Sequence, residues 1–343
     1  MIYITRKMYQ ACGDFINFDC SIRGINKIFN NIIINQNYPD INDTLGSLEL
    51  AADIHKEVRR HLQKYLKPNI KLTEIAEIIE SKTIELSNQQ KSINKGIGFP
   101  VGLSINNCVA HYHPKTNEQT LLTKNDIIKI DFGTEVNGWI IDSAFTVCFD
   151  SKFNNLLEAV KDGTDTGIKH LGVDASIADY SESIQEVIES YEIVLDKKTY
   201  PIKAVQNLGG HNILRGIIHG GTYLPCVKTN TTARFKEGVY AIETFGSTGD
   251  NISFTLGEST LYRINPNYTN NILYEKFGTL PFCERYIYDI NTANLIDVPK
   301  LINNNLIYSY PPLYVNNGYT AQYEHTIYLD EFKKIILSKN DDY

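Results

Sequence analysis

From Ser47 to Leu66, apolar side chains return at three- and four-residue intervals, at Leu48, Ala51, Ile54, Val58, Leu62 and Tyr65. That spacing predicts an amphipathic helix, ended by Lys67-Pro68. Its other face carries Lys56, Arg59, Arg60, Lys64 and Lys67, read as a solvated charged face in preference to an RNA-docking surface. A second helix is expected after a Thr73 cap, with Ile75, Ile78, Ile79 and Ile84 inside. Helical spacing also fits 153–171 and 176–191. Elsewhere the period drops to two, at 126–132, 139–149, 238–245 and 319–329, with Gly and Asn as punctuation. Strands and helices mix without a regular strand–helix–strand rhythm, which predicts an α+β fold with a largely antiparallel sheet. Residues 1–45 are polar and Asn-rich and give no clear element. The stretch 256–318, rich in Asn, Tyr and Pro and partly helical, reads as an insertion within one domain covering 1–343.

Composition narrows the class. The 343 residues are 42% hydrophobic and 21% charged, which suits a globular protein and excludes disordered, collagenous and fibrous classes. With 33 Lys+Arg against 40 Asp+Glu the net charge is -7, so no direct DNA binding is expected. No run approaches the ~18 apolar residues of a membrane span, and MIYITRKMYQACGD holds no apolar stretch long enough for a secretory signal. Six cysteines, Cys12, Cys20, Cys108, Cys148, Cys226 and Cys283, are scattered without a C-x-x-C. They are expected reduced, in a cytoplasmic protein.

The segment IIKIDFGTEVNGWIIDSAFTV, residues 127–147, is the most informative. Asn137-Gly138 favours a two-residue hairpin turn. Ile130 then opposes Phe145, Ile128 opposes Val147, and Asp131 lies across from Ala144 on the other face. Asp142 becomes its diagonal neighbour, about 7–8 Å away at Cα. Asp is depleted in strands and disfavours burial. Solvated carboxylates on an exposed sheet face are one reading; a site for hard divalent cations is the other. Downstream, His211 follows Gly209-Gly210, Glu243 ends VYAIE, and Glu324 sits in YTAQYEHTIYL on the same parity as Gln322 and Thr326. Two Asp, one His and two Glu on four strand-like segments suit Mn, Fe, Co or Zn. His55, His61 and His170 read as surface or packing residues, and His325 faces away from Glu324.

The segments GFPVGLSINNCVAHYHP, IIKIDFGTEVNGWIIDSAFTV, NLGGHNI, YAIETFGSTG and YTAQYEHTI resemble the type 2, eukaryotic-type methionine aminopeptidases, from about residue 40 to Tyr343. The resemblance implies a pita-bread fold, a curved antiparallel sheet backed by helices with the site at its centre. It implies two divalent metal ions. Asp131 would be a terminal ligand of one, His211 and Glu243 terminal ligands of the other, and Asp142 and Glu324 bridges. His111 would contact the substrate amide and be the nucleophile trapped by fumagillin-type epoxides. His219 would bond the substrate carbonyl region, and Phe99, Ile218 and Tyr310 would line the methionine pocket. The implied reaction removes the N-terminal methionine of a nascent polypeptide whose second residue is small, using water activated between the ions, with Glu243 carrying its proton. Nascent N-termini are the implied partner, with transient ribosome association as a further one.

The interval from Glu243 to Glu324, 81 residues, exceeds that of type 1 enzymes, and the surplus at 256–318 matches the type 2 helical insertion. Two departures stand out. Type 2 members usually carry a histidine near the position of Leu261, whereas no histidine falls between His219 and His325 here. The chain also has no room for the long charged N-terminal extension of animal-type members. Prolidase and aminopeptidase P, the rival enzymes, carry a sizeable extra N-terminal domain, against 95 residues before GIGFP here. Metal-free binding relatives on the same fold, the rival of a different class, have lost ligands that are all present here.

Overall fold

The computed structural model describes residues 43–88, 95–288 and 296–343. Most of the Asn-rich stretch 1–45, with Cys12 and Cys20, lies outside the described residues; Cys108, Cys148, Cys226 and Cys283 are free thiols. Helix α1 (Thr44–Leu62) begins where the Asp43 side chain accepts from Gly46 N–H at 2.7 Å, an N-cap that satisfies an otherwise orphaned donor. It ends at Leu62, in a turn closed by Tyr65 N–H donating to the Leu62 carbonyl, ahead of Lys67-Pro68. Tyr65 is accordingly exposed. Helix α2 (Leu72–Ser87) is not capped by Thr73: Lys71 occupies the cap position without a side-chain bond. The Leu72 N–H donates instead to the Thr120 carbonyl at 3.0 Å, so a neighbouring backbone does the work of a cap. Ile84 lies outside, while Thr83 and Ser87 take the inner face.

Two antiparallel sheets carry the molecule. The first orders β1 (Lys95–Ile105), β2 (Ile127–Val136) and β3 (Trp139–Cys148). The predicted hairpin forms: Val136 pairs with Trp139, Asp131 with Ala144, Ile130 with Phe145 and Ile128 with Val147. Asn137 (φ 53°) and Gly138 (φ 82°) both adopt the left-handed backbone of this turn type. Helices α3 (Asn154–His170) and α4 (Ile177–Glu189) follow near their expected limits. The second sheet is built from β4 (Gly209–Ile213), β5 (Tyr223–Pro225), β6 (Gly238–Ser247), β10 (Thr320–Leu329) and β11 (Lys334–Ile336), in the order β5-β4-β6-β10-β11, with the short strand Lys203–Ala204 paired to the end of β6. One large apolar core lies between sheets and helices, with α1 packed on β2 and β3 and α3 on β6 and β10.

The sheets meet along a seam between β3 and β10 that hydroxyl groups stitch. Thr146 Oγ1 accepts from Gln322 N–H at 2.8 Å and donates to the Gln322 carbonyl at 2.7 Å. Thr326 Oγ1 does the same for Asp142, at 2.8 and 2.7 Å. Each hydroxyl thus satisfies one backbone donor and one acceptor that a direct ladder would otherwise pair.

Residues 256–318 hold a small sheet of β7 (Leu261–Ile264), β8 (Phe282–Cys283) and β9 (Ile307–Tyr310), with β7 central. They also hold three short helices, Ile272–Phe277, Glu284–Tyr288 and Val298–Asn303. Tyr262, Ile264, Leu273, Phe282, Ile287 and Ile307 form a separate apolar cluster. Arg285 and the Tyr286 hydroxyl both donate to the buried Glu80 carboxylate on α2.

Candidate metal centre

The hairpin and the second sheet deliver the five predicted ligands to one place. Gly133 opposes Asp142 in the hairpin register, and in the second sheet Glu243 on β6 directly opposes Glu324 on β10. His211 on β4 opposes Ala241, two positions before Glu243, so period-two alternation puts both on one face. Ligand atoms of Asp142, His211 and Glu324 lie within 4.8 Å of one another, as do those of Asp131, Glu243 and Glu324. His211 Nε2 stands 3.3 Å from Asp142 Oδ2. Glu324 belongs to both triads. Glu243 is grouped with Asp131 and Glu324. The Gln322 amide holds it there, donating to Asp131 Oδ2 at 3.1 Å and to Glu243 Oε1 at 2.6 Å.

The electrostatics demand positive charge. Burial, followed by repulsion from Asp142, raises the Asp131 carboxyl well above the usual range. Burial also raises Glu243, with Asp131 and Asp142 adding to it, and Glu324, where Asp142, Glu243 and Asp131 contribute. Both carboxylate oxygens of Glu324 and Oδ1 of Asp131 are sealed from solvent without a hydrogen-bond partner. Carboxylates stripped of water and crowded together keep their charge only beside cations and otherwise take up protons. Hard oxygen donors plus one imidazole suit divalent Mn, Fe, Co or Zn, so the donor set fits two such ions.

Around this centre stand the residues expected to meet substrate. The His219 ring packs edge-on against His211, centroids 4.4 Å apart, and Tyr310 lies 6.3 Å from His219 and 5.9 Å from His111. Burial lowers the His111 imidazole to about 4; burial, then His211, Arg263 and His111, lowers that of His219 well below its ordinary value. Both rings are therefore neutral near pH 7. His111 has a left-handed φ of 64°, and its Nδ1 is buried without a partner. The Phe99 ring covers Gly133, the residue opposing Asp142, where a Cβ would fall 2.3 Å from its ring atoms. Ile218 is buried in the same core as Phe99. His113 is engaged elsewhere, with Nδ1 2.8 Å from the Val101 carbonyl. Leu261, near which the resemblance implies a histidine that this chain lacks, is buried opposite Tyr310. Gln322 was not foreseen as part of the site, although its shared parity with Glu324 was the available signal.

The profile of metallopeptidase family M24 matches residues 46–331. The chain is 42% identical over 308 residues to "Methionine aminopeptidase 2" of Debaryomyces hansenii, covering 85% of this chain and 74% of that protein. It is 44% identical over 322 residues to "Methionine aminopeptidase 2-1" of Talaromyces marneffei, covering 88% and 73%. Among solved structures, a thermophilic Arx1 superposes with a TM-score of 0.72 at 18% identity, over 88% of this chain and 92% of that one. A methionine aminopeptidase from Thermotoga maritima superposes with a TM-score of 0.61 at 17% identity, over 88% and 98%. At those identities the structural likeness speaks for the pita-bread fold alone.

Proposed function

The chain belongs to metallopeptidase family M24, and on that footing we propose that it removes the N-terminal methionine of nascent polypeptides whose second residue is small. The convergence of Asp131, Asp142, His211, Glu243 and Glu324 in two triads that share Glu324 carries the reading. These five residues would hold two divalent ions, which supply Lewis acidity and acidify a water when bound. Glu243, at the edge of the cluster, takes the proton of the attacking water and passes it to the departing amine. The neutral His219 ring keeps one N–H, which donates to the oxygen that gains charge on the methionine carbonyl. His111 meets the substrate amide, and its neutral ring nitrogen is the nucleophile a fumagillin-type epoxide would alkylate. Phe99, Ile218 and Tyr310 line the methionine pocket. Burying that side chain stabilises the complex by roughly 1.5–3 kcal/mol, too little for strict selection, so recognition of the free amine must add to it.

Residues 256–318 form an inserted subdomain of a single catalytic domain on this reading; their separate apolar cluster and Tyr310, presented to both His111 and His219, support it. Cytoplasmic location and transient contact with ribosomes, where new N-termini emerge, belong to the same proposal. Among the described residues no helix is long and apolar enough to cross a membrane.

The test is peptide cleavage by protein loaded with Mn, Fe, Co or Zn one at a time. Met-Gly and Met-Ala peptides should be cut, a Met-Leu peptide and internal Met bonds spared, and His111→Asn should be slower. Release of the first residue only from Xaa-Pro peptides would replace the reading with a prolidase-type activity.

A further inference from the structure

Behind the metal centre lies a buried cation that the hydrolytic reading does not use. The Arg59 side chain on α1 is fully buried, not solvated as its helix face suggested. Its Nε and Nη2 donate to the two carboxylate oxygens of Asp342, each at 2.8 Å. Its Nη1 donates to the Ser338 carbonyl at 2.7 Å and reaches His55 Nδ1 at 3.2 Å and the Tyr343 hydroxyl at 3.3 Å. The guanidinium also sits 4.4 Å above the Tyr343 ring.

Three arms leave this centre, and each ends beside a predicted ligand. His55 Nε2 donates to the Phe132 carbonyl at 2.9 Å, leaving Nδ1 to accept from Arg59, and the His55 ring stacks on Phe132 with centroids 3.9 Å apart. Phe132 follows Asp131 on β2. In the second arm the Tyr343 hydroxyl accepts from Arg59 and donates to Ser143 Oγ at 2.5 Å, and Ser143 donates to the Glu324 carbonyl at 2.7 Å. Ser143 follows Asp142 on β3. In the third, Ser338 Oγ pairs with His325 Nδ1 at 2.9 Å and accepts from Thr326 N–H at 3.0 Å, while the His325 ring stacks on Tyr343, 4.8 Å away at 13°. His325 follows Glu324 on β10. Side chains alternate along strands, so Phe132, Ser143 and His325 occupy the reverse face from Asp131, Asp142 and Glu324.

We propose that Arg59 and Tyr343 are positioning residues for the metal centre. They clamp β2, β3 and β10 from behind, so that Asp131, Asp142 and Glu324 are held at coordinating separation across the seam. The proposal rests on the metal-centre reading above. A buried arginine is costly unless every donor is satisfied, and here the donors go to Asp342, Ser338, His55 and Tyr343, the last three of which in turn bond Phe132, Ser143 and His325 on the three ligand-bearing strands. Groups that orient ligands from behind typically change metal affinity 10–100-fold when lost.

Tyr343→Phe deletes only the hydroxyl that joins Arg59 to Ser143, and Asp342→Asn weakens the arginine's anchor should the first variant fold poorly. Each is titrated with Co2+ as the full chain, following affinity by chelator competition and ligand geometry by the visible absorption bands. Glu80→Gln is the control, because it loosens a buried ion pair between α2 and Arg285 that bonds none of the ligand strands. Tyr343→Phe should bind Co2+ at least ~10-fold more weakly with shifted bands, and Asp342→Asn should move the same way. Glu80→Gln should lower the melting temperature while leaving affinity and bands unchanged. Tyr343→Phe and Asp342→Asn that melt lower yet bind Co2+ within two-fold of the unaltered protein, with its spectrum, would show that the network only fastens residues 337–343 and overturn the proposal. Unaltered protein that binds no Co2+ would instead overturn the metal-centre reading itself.

Discussion

Glu135 shows what burial does to a carboxyl on a strand. It lies on β2, buried, accepting from Gly138 N–H at 2.8 Å. Burial pushes its carboxyl up to about 7 from an ordinary 4.5. The folded state therefore holds the proton more tightly than the unfolded chain. Its contribution to stability is fully present below pH ~4.5 and is lost as pH rises to about 7, beyond which the curve flattens. Glu135→Gln keeps the acceptor for Gly138 and cannot ionise. It should match the parent below pH 4.5 and exceed it at pH 8, by at most about 3 kcal/mol. Urea melts across pH 4–8 check this, and parallel curves for the two proteins would remove the assignment. At this scale the sequence was legible where a residue type violated its surroundings: Asp131 and Asp142 stood out because strands rarely carry Asp. Arg59 was not legible. A helix face shows that it is charged, but nothing in α1 reveals that Ser338, Asp342 and Tyr343 will cover it.

Among elements, the β2–β3 hairpin is the one whose register sets the site, because a slip of one residue would turn Asp131 and Asp142 to the reverse face. Its turn is also docked: Asn137 Nδ2 donates to Ser47 Oγ at 3.1 Å, and Gly216 N–H donates to the Gly138 carbonyl at 2.6 Å. At φ 82° a side chain at Gly138 is strained by about 1–2 kcal/mol. Gly138→Ala should lower unfolding stability by that amount, read from the denaturant midpoint at constant slope; an unchanged midpoint would mean that the turn relaxes freely. This hairpin could be read directly because turn chemistry, alternation and apolar pairing all agreed. The ends of α1 and α2 could not. One is decided by a tightened last turn and the other by the Thr120 carbonyl, a partner 48 positions downstream of Leu72 that no local pattern announces.

For the molecule as a whole, divalent ions would bind the folded form alone, since Asp131 and Asp142 on one sheet meet His211, Glu243 and Glu324 on the other only when the seam is closed. Free Co2+ at 100 times its dissociation constant should then add about 2.7 kcal/mol to unfolding stability, and excess chelator should remove it. Melting curves with and without chelator measure the difference; coincident curves would mean that no ion bridges the sheets. The antiparallel architecture was readable from the sequence, but the seam was not, because Thr146 and Thr326 are unremarkable until 180 positions of intervening chain bring them to opposite edges. That separation also has a consequence in time. Chains grow at about 5–20 residues per second, so β3 waits roughly ten to thirty seconds for β10 to be made. Throughout that wait its edge is an open template for foreign strands, and Arg59 has yet to meet Asp342, 283 positions away. Contacts this distant in sequence slow the final closure as well, so catalytic competence should arrive late and all at once.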